Sequence, residues 1–266
     1  MTIRLAIHGA AGRMGRRLIA LGSADGDFAL CGAIDNPQSD LLGQDAGAVA
    51  GVGAVGVPIS ADWPADLAAA IDFSVPDACS AAIEHCVAAK VPLVVATTGL
   101  TEAQVEQVKR AAEAIPLCWA PNMSLAVNLT MKLAQQAATA LKEVPQGADV
   151  EILERHHRFK EDSPSGTALK FGELIADAMG LTKHVHGREG ICGARGKDEI
   201  GYHAIRTGDD PGQHTIVFGM MGETIELRVG ASNRDCYASG ALAAAKFLVG
   251  KPPGIYNMFD VLGLSD

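Results

Sequence analysis

Three glycines near the N-terminus constrain the fold of this chain more than any other feature of its sequence. Gly9, Gly12 and Gly15 stand three residues apart, after the apolar run Ile3 to Ile7. Gly12 and Gly15 lie at the start of the amphipathic run Gly12 to Leu21. The first glycine lets a strand turn sharply, and the third lets the following helix approach that strand closely. The sequence therefore predicts an α/β fold that opens with a strand, a tight turn and a helix.

Strand-like and helix-like segments continue to alternate through the first half of the chain. Their spacing is typical of βαβ units and favours a parallel, doubly wound sheet. The predicted strands are Phe28 to Ile34, Ala70 to Phe73, Pro92 to Ala96 and Leu117 to Ala120, and the predicted helices are Ala78 to Ala89 and Thr101 to Ala114. We predict a Rossmann-like domain over residues 1–126.

The pattern changes after Pro121 and predicts a second domain of α+β type, with a mixed or antiparallel sheet, over residues 127–233. Its predicted elements are a long helix, a strand and an antiparallel hairpin, at Leu125 to Leu141, Ala148 to Glu154, Thr215 to Met221 and Glu223 to Val229. The stretch His184 to Gly212 shows little regular periodicity. Residues 234–266, which include an Ala-rich helix from Ser239 to Leu248, are expected to pack back on the first domain.

Composition and charge limit the partners and the location of the protein. A net charge of −9 disfavours nucleic acid, because affinity for phosphate backbones comes mainly from clustered Lys and Arg. The six cysteines show no spacing typical of a zinc site and are expected to be reduced thiols. The N-terminal apolar run is shorter than that of a signal peptide, and no segment approaches the length of a membrane span. We therefore expect a cytoplasmic protein that binds neither nucleic acid nor membrane.

The glycine turn predicts a dinucleotide site, because backbone amides at the start of a helix bind a diphosphate well. The second predicted strand ends at Asp35, where a carboxylate would bind the adenosine ribose and repel a 2′-phosphate. Asn36 follows in place of a basic residue, so NADH is predicted to be used at least as well as NADPH, although Arg13 and Arg16 leave room for both. A tight turn without a ligand remains the alternative.

Two further loops follow predicted strands of the same sheet. They are Ala96-Thr-Thr-Gly99 and Ala120-Pro-Asn-Met123. Ligands of open α/β sheets lie at the carboxyl ends of strands, so these loops could border a nicotinamide. Each loop taken singly could equally be an ordinary turn.

A second group of chemistry-bearing residues lies between Glu151 and Ala168. His156, His157 and Lys160 follow a predicted strand, and a histidine can exchange a proton near neutral pH. The alternatives are a solvated basic loop and, less favoured, a metal site on the two histidines, whose adjacent side chains diverge. We predict no metal.

A predicted helix, Ala168 to Met179, follows these basic residues. Ser165 or Thr167 would cap it, and the amides of Gly166 and Thr167 would suit a carboxylate. The positive charge of Lys160 and His157 just upstream favours the same anion. This arrangement predicts an anion site beside proton donors.

Together these segments resemble the dihydrodipicolinate reductase family. The resemblance rests on Gly9-Ala-Ala-Gly-Arg-Met-Gly15, the two loops above, Glu154-Arg-His-His-Arg-Phe-Lys160 with Pro164-Ser-Gly-Thr-Ala168, and Gly212-Gln-His-Thr215. It implies a reductase that uses NADH or NADPH to reduce a small dicarboxylate, a cyclic imine derived from 4-hydroxy-tetrahydrodipicolinate, to tetrahydrodipicolinate in lysine and diaminopimelate biosynthesis. It also implies a homotetramer assembled through the C-terminal domains. The sequence leaves open another two-domain reductase of a small amino or keto acid, or a non-catalytic, NAD-binding redox regulator.

The resemblance also implies roles for individual residues. His156 is the implied catalytic acid or base, and Lys160 an implied proton donor. The implied substrate ligands are His157, Ser165, Gly166 and Thr167. The implied dinucleotide contacts are Gly9, Ala10, Ala11, Gly12, Arg13, Met14, Asp35, Ala96, Thr97, Thr98, Ala120, Pro121, Asn122 and Met123. The chain departs from many family members at Met123, where an aromatic residue is common, and at Asn36, where a basic one is.

Overall fold

Strands and helices alternate along residues 2–265, the part of the chain that the computed structural model describes. The strands are β1 (Ile3–His8), β2 (Phe28–Ile34), β3 (Ile59–Ser60), β4 (Ala69–Asp72), β5 (Leu93–Val95), β6 (Pro116–Trp119), β7 (Asp149–His156), β8 (Lys183–His186), β9 (Glu199–Arg206), β10 (Gln213–Met220), β11 (Glu223–Gly230) and β12 (Gly254–Tyr256). The helices are α1 (Arg13–Ala24), α2 (Ala46–Ala50), α3 (Pro76–Ala89), α4 (Glu102–Ala112), α5 (Leu125–Leu141), α6 (Gly166–Met179), α7 (Asp235–Leu248) and α8 (Met258–Val261). They form two units, one of residues up to Leu125 together with those from Arg234 onward, and the other of Ala126–Asn233.

A parallel sheet forms the centre of the first unit, in the order β12-β6-β5-β4-β1-β2-β3. Alternation along β1 directs Leu5 to a core shared with α1 and α7, and Ala6 to a core shared with α3 and α4. Apolar layers thus cover both faces, which is why a strand such as β5 is continuously apolar. The predicted Rossmann-like α/β architecture is confirmed.

Helix α7, near the C-terminus, belongs to this first unit. It starts at Asp235, earlier than the predicted Ser239, and the carboxylate of Asp235 binds both Arg17 Nε and Nη2, at 2.6 and 2.9 Å. Near its other end, Lys246 Nζ lies 2.8 Å from Asp25 and 2.7 Å from Asp27. Paired charges therefore anchor both ends of α7 to the α1–β2 segment.

A mixed sheet forms the centre of the second unit, in the order β11-β10-β7-β9-β8. The pairs β11–β10 and β10–β7 are antiparallel, while β7–β9 and β8–β9 are parallel, so the predicted mixed sheet and its hairpin are confirmed. Helix α6 lies against β7 and β9, and the side chains of Val150 and Ile152 on β7 are buried. The opposite face carries Leu153 and Ile205, which are 36% and 47% exposed.

The expectation of irregular structure from His184 to Gly212 is wrong, because strands β8 and β9 lie within it or at its edge. Polar residues in β9 interrupt the apolar pattern that would predict a strand. Glu199, its first residue, is buried through ion pairs with Arg188 and Lys183, and Gly201 lies against the side chain of Glu151. A buried, ion-paired glutamate thus precedes the buried apolar residues Ile200 and Tyr202 of this strand, and a glycine stands between them.

Among the described residues, no helix is both long and apolar enough to cross a membrane.

Candidate active site

The glycine turn has the geometry that its sequence predicts. Gly9 adopts φ +81°, and a Cβ there would lie 2.6 Å from the carbonyl oxygen of Phe73. A Cβ at Gly15 would overlap the carbonyl oxygen of Gly9, so both positions require glycine. Gly12 precedes the first turn of α1, and no side chain caps that end of the helix. Its amides can therefore serve a phosphate oxygen, and the turn fits a dinucleotide diphosphate.

Asp35 lies beside this turn, directly after β2. Its carboxylate accepts hydrogen bonds from the amides of Ala11, at 2.7 Å, and Asn36, at 2.8 Å. These bonds fix the orientation of the carboxylate and leave further lone pairs, since an ionised carboxylate has about four acceptor positions. The half-buried side chain can thus accept from ribose hydroxyls while it stabilises the turn.

The other predicted dinucleotide contacts divide into exposed and buried residues. The exposed ones are Gly12, Arg13, Thr98 and Pro121; Gly9, Ala11, Met14, Asp35 and Asn122 are half-buried; and the side chains of Ala10, Ala96, Thr97, Ala120 and Met123 are buried. Met123 lies in the main apolar core of the first unit. The buried residues can reach a dinucleotide only through their backbone.

In the second unit, Glu154 is the centre of a buried hydrogen-bond network. Its side chain, 1% exposed, accepts from His156 Nδ1 at 2.6 Å and from Arg206 Nη1 and Nη2 at 2.8 and 2.7 Å. The amide of Ser165 is a further donor, at 3.1 Å. Burial alone raises the pKa of Glu154, but the hydrogen bonds from Arg206 and His156 outweigh it and hold the pKa below its ordinary value. Glu154 is therefore an ionised acceptor.

An ionised acceptor at Nδ1 assigns the proton of His156 to that nitrogen. Burial lowers the pKa of His156 below its ordinary value, and this outweighs the opposite effect of the bond to Glu154. The neutral ring then presents the lone pair of Nε2, which faces Gly212, where a Cβ would lie 2.7 Å from that nitrogen. His156 is held in one tautomer with its second nitrogen ready to exchange a proton.

A second histidine supports the start of α6. The Nε2 of His214 lies 3.1 Å from Ser165 Oγ, and Ser165 Oγ accepts from the amide of Ala168 at 3.2 Å, which confirms the predicted cap. Burial lowers the pKa of His214 to about 4, so its ring is neutral near pH 7 and its Nε2 shares a hydrogen bond with the serine hydroxyl. The hydroxyl and the amide of Ser165 are thus both hydrogen-bonded within the protein, so Ser165 positions the start of α6.

The loop between β7 and α6 carries the basic residues His157 and Lys160. Lys160 Nζ forms an ion pair with Asp162 at 2.8 Å, and the amide of His157 donates to the carbonyl of Asp210 at 2.8 Å. His157 Nδ1 and Arg206 Nε are the buried side-chain atoms among residues 2–265 that have no hydrogen-bond partner. Polar atoms of this kind are costly to bury and are usually matched by a ligand or water. Separately, Gly166 is exposed at the first turn of α6, where backbone amides suit a small anion.

All of the predicted catalytic and substrate residues thus lie in the second unit, and all of the predicted dinucleotide contacts lie in the first. Sequence reasoning missed the roles of Glu154, Arg206 and His214. The signal for Glu154 was its position two residues before His156 in a strand, which directs both side chains to the same face. Arg206 lay in the segment expected to be irregular, and no local pattern joins His214 to Ser165.

Comparisons with known proteins cover nearly the whole chain. The family model described as "Dihydrodipicolinate reductase, N-terminus" matches residues 3–123, and the one described as "Dihydrodipicolinate reductase, C-terminus" matches residues 126–262. The 4-hydroxy-tetrahydrodipicolinate reductase of Rhodopirellula baltica is 65% identical over 99% of this chain and 97% of its own length. The reductase of the same name from Alkalilimnicola ehrlichii is 49% identical over 99% of this chain and 100% of its own.

Solved structures share the fold. A dipicolinate-bound dihydrodipicolinate reductase from Paenisporosarcina sp. TG-14 superposes with a TM-score of 0.77 at 26% identity, over 98% of this chain and 99% of that one. An amine dehydrogenase from Mycobacterium smegmatis, at 13% identity and a TM-score of 0.62 over 97% of this chain and 95% of its own, shares the fold alone.

Proposed function

Because the chain belongs to the dihydrodipicolinate reductase family, we propose that it transfers a hydride from NADH or NADPH to the cyclic imine derived from 4-hydroxy-tetrahydrodipicolinate. The product is tetrahydrodipicolinate, and the reaction belongs to lysine and diaminopimelate biosynthesis. The observation that carries this proposal is the tautomer of His156, fixed by Glu154, beside Lys160 and the start of α6. This is an acid–base group next to an anion site, which the reduction of an anionic imine requires.

The residues of the second unit bind and orient the ring acid. The amides of Gly166 and Thr167 donate to one carboxylate, and His157 contributes its unpartnered nitrogen. The Lys160 ammonium, now paired with Asp162, exchanges that partner for the substrate. Ser165 acts as the cap that holds these amides in place.

A bound nicotinamide would supply the hydride, and the protein supplies the one proton that the reduced imine takes up. Since the His156 ring is neutral near pH 7, Lys160 is the group that delivers a proton to the electron-rich product. The Nε2 of His156 accepts a hydrogen bond from the substrate. His156 then relays the proton that replaces the one lost by Lys160. Both groups belong to one loop and the end of β7, so their spacing depends on the pairing of that loop with Thr207 to Asp210.

Asp35 supports the use of NADH at least as well as NADPH. Its carboxylate lies beside the turn that would hold the diphosphate, and the next residue, Asn36, is not basic. A 2′-phosphate at that ribose would meet negative charge. We expect kcat/KM with NADH to equal or exceed that with NADPH.

The second unit is also proposed to assemble a homotetramer in the cytoplasm. The sheet face that carries Leu153 and Ile205 has apolar side chains at its surface, opposite the face covered by α6. Apolar surface of this kind is typical of subunit interfaces.

An activity assay with two lysine variants tests the proposed function. Fresh product of dihydrodipicolinate synthase is supplied with NADH, and the loss of nicotinamide absorbance is followed. Lys160→Ala should lower kcat by ~10²–10⁴-fold, the usual contribution of a positioned proton donor. Lys170→Ala is the matched control, since Lys170 pairs with Glu173 along α6 and has no part in the proposed chemistry. Wild-type protein that oxidises no NADH or NADPH, or a Lys160→Ala variant with full turnover, would contradict the proposal.

A further inference from the structure

A buried carboxylate in the first unit joins the ends of three neighbouring strands. Asp72, the last residue of β4, is fully buried. Its Oδ1 accepts from His8 Nδ1, at the end of β1, at 2.7 Å and from Ser74 Oγ at 2.6 Å. Its Oδ2 accepts from Thr97 Oγ1, just beyond β5, at 2.6 Å. One side chain therefore collects donors from the carboxyl ends of β1, β4 and β5.

The carboxylate is ionised in this setting. Burial raises the pKa of Asp72, but the hydrogen bonds from His8, Ser74 and Thr97 outweigh it and leave the pKa below its ordinary value. A buried charge is tolerated only where donors satisfy it, so loss of one donor leaves the others poorly matched. The network consequently acts as a unit.

This network touches both parts of the proposed dinucleotide site. On one side, His8 immediately precedes Gly9, whose turn packs against the backbone of Phe73 and Ser74. On the other side, Thr97 lies in the loop after β5, and its Oγ1 also accepts from the amide of Ser74 at 3.0 Å. The carboxylate thus sets the distance between the turn that suits a diphosphate and the loop that would border the nicotinamide.

We propose that Asp72 is a positioning residue for the dinucleotide, which acts through the Thr97 hydroxyl and His8 to hold the two cofactor loops in the bound arrangement. The inference rests on the proposed function, since it assumes that these loops bind NADH. It also gives Thr97 a role different from that of a direct side-chain contact, because its hydroxyl is committed to Asp72. The exposed neighbour Thr98 remains the side chain available to a ligand.

A pair of Thr97 variants separates the hydroxyl from the packing. Thr97→Val keeps the shape and removes the donor, while Thr97→Ser keeps the donor and removes a methyl group. NADH titration, read by nicotinamide fluorescence, should give a dissociation constant about tenfold higher for Thr97→Val, as expected for the loss of a bond to a charged group. Thr97→Ser should restore most of the affinity, to within about threefold of wild type.

Asp72→Asn provides the second measurement. It should weaken NADH binding by at least the same factor, and combining it with Thr97→Val should add little, because both remove one interaction. The KM for the dicarboxylate, which the second unit binds, should stay within about twofold in all variants whose circular dichroism matches wild type.

The outcomes distinguish the two proposals. Wild-type protein that binds neither NADH nor NADPH would contradict the proposed function itself. Wild-type binding that is unchanged in Thr97→Val and in Asp72→Asn would overturn only the role of Asp72. Equal weakening in Thr97→Val and Thr97→Ser would also overturn it, because the effect would then follow volume instead of the hydroxyl.

Discussion

At the scale of single residues, Glu154 determines which nitrogen of His156 carries a proton. The carboxylate only accepts, Arg206 keeps it ionised, and His156 must therefore donate from Nδ1. A neutral amide in place of the carboxylate could donate to that nitrogen as readily as accept from it, so the ring would no longer be held in one tautomer.

Glu154→Gln should therefore lower kcat on the order of 10²-fold. The affinity for NADH should not change, because the proposed dinucleotide contacts lie in the other unit. Steady-state kinetics and NADH titration of the same preparation test this. Nitrogen-15 spectra of the histidine rings give an independent check, and a His156 ring that still carries its proton on Nδ1 alone, with kcat within about twofold of wild type, would refute the assignment.

His214 makes stability depend on pH in a defined direction. Its folded-state pKa of about 4 lies below the ordinary value of 6.5, so the unfolded chain binds the proton more tightly. Stability is complete above the unfolded pKa and is lost as the pH falls through the window between the two values. From pH 7 to pH 4 this group should lower the free energy of unfolding by about 3 kcal/mol.

Urea unfolding of wild type and His214→Asn at both pH values measures this effect. The asparagine can still bond to Ser165 but does not titrate, so the variant should lose less stability on acidification. The two proteins have the same carboxylates, so the effect of those groups on the pH dependence of stability cancels in the comparison. Parallel pH dependences of the two proteins would show that His214 does not have the depressed pKa.

At this scale, the sequence groups candidate site residues only where they form one continuous motif. His156, Lys160 and Gly166 lie within one short segment, which joins the end of β7 to the start of α6; their roles stay predictions. His214 and Arg206 come from distant strands, and only the sheet register brings them next to Ser165 and Glu154. Contacts of that kind depend on tertiary pairing, which a single sequence does not encode locally.

At the scale of elements, most strands and helices of the first unit follow from periodicity because their apolar faces pack directly on the sheet. Strand β9 is not predicted from periodicity, because its first buried residue, Glu199, is charged. Strands β3 and β12 are too short to show an apolar periodicity. Where ion pairs or neighbouring strands stabilise an element, the residues responsible lie elsewhere in the chain, so the element's own sequence does not predict it.

Helix α7 offers a test of close packing at this scale. A Cβ at Gly240 would overlap the carbonyl oxygen of Met123, in the proposed dinucleotide loop. Because the contact is with backbone, Gly240→Ala should destabilise the first unit by about 1–3 kcal/mol and raise the dissociation constant for NADH. Thermal unfolding and NADH titration measure the two effects.

Gly22→Ala in α1 is the matched control. Its Cβ would lie 3.4 Å from a methyl group of Leu242, an ordinary contact with a flexible side chain. The substitution should stabilise the protein by about 0.5–1 kcal/mol through helix propensity. Two variants with equal stability would show that the α7 contact with Met123 is not tight.

At the scale of the whole molecule, the division into a parallel-sheet unit and a mixed-sheet unit is the feature that the sequence pattern indicates most clearly. Strand–helix alternation stops after Pro121, and the described structure changes units at Leu125. The assembly is less accessible to sequence reasoning, since an exposed strand face has the same alternation whether water or another subunit covers it.

Leu153→Asp tests the proposed tetramer. A charge at the centre of an apolar interface is strongly unfavourable, so the variant should elute as a smaller species in size-exclusion chromatography with light scattering. Val249→Asp, an exposed apolar position of the first unit, should keep the wild-type mass. Equal masses for Leu153→Asp and wild type would place the interface elsewhere or exclude it.

We propose that the start of α6, with His157, Lys160 and His156, binds the two carboxylates of the ring acid beside an acid–base pair. A crystal structure of the protein with dipicolinate and the oxidised dinucleotide tests it most directly. One carboxylate should lie on the amides of Gly166 and Thr167, Lys160 should move from Asp162 to the ligand, and His156 Nε2 should be directed at the ring. Dipicolinate bound away from the start of α6, with the Lys160–Asp162 pair intact, would contradict it.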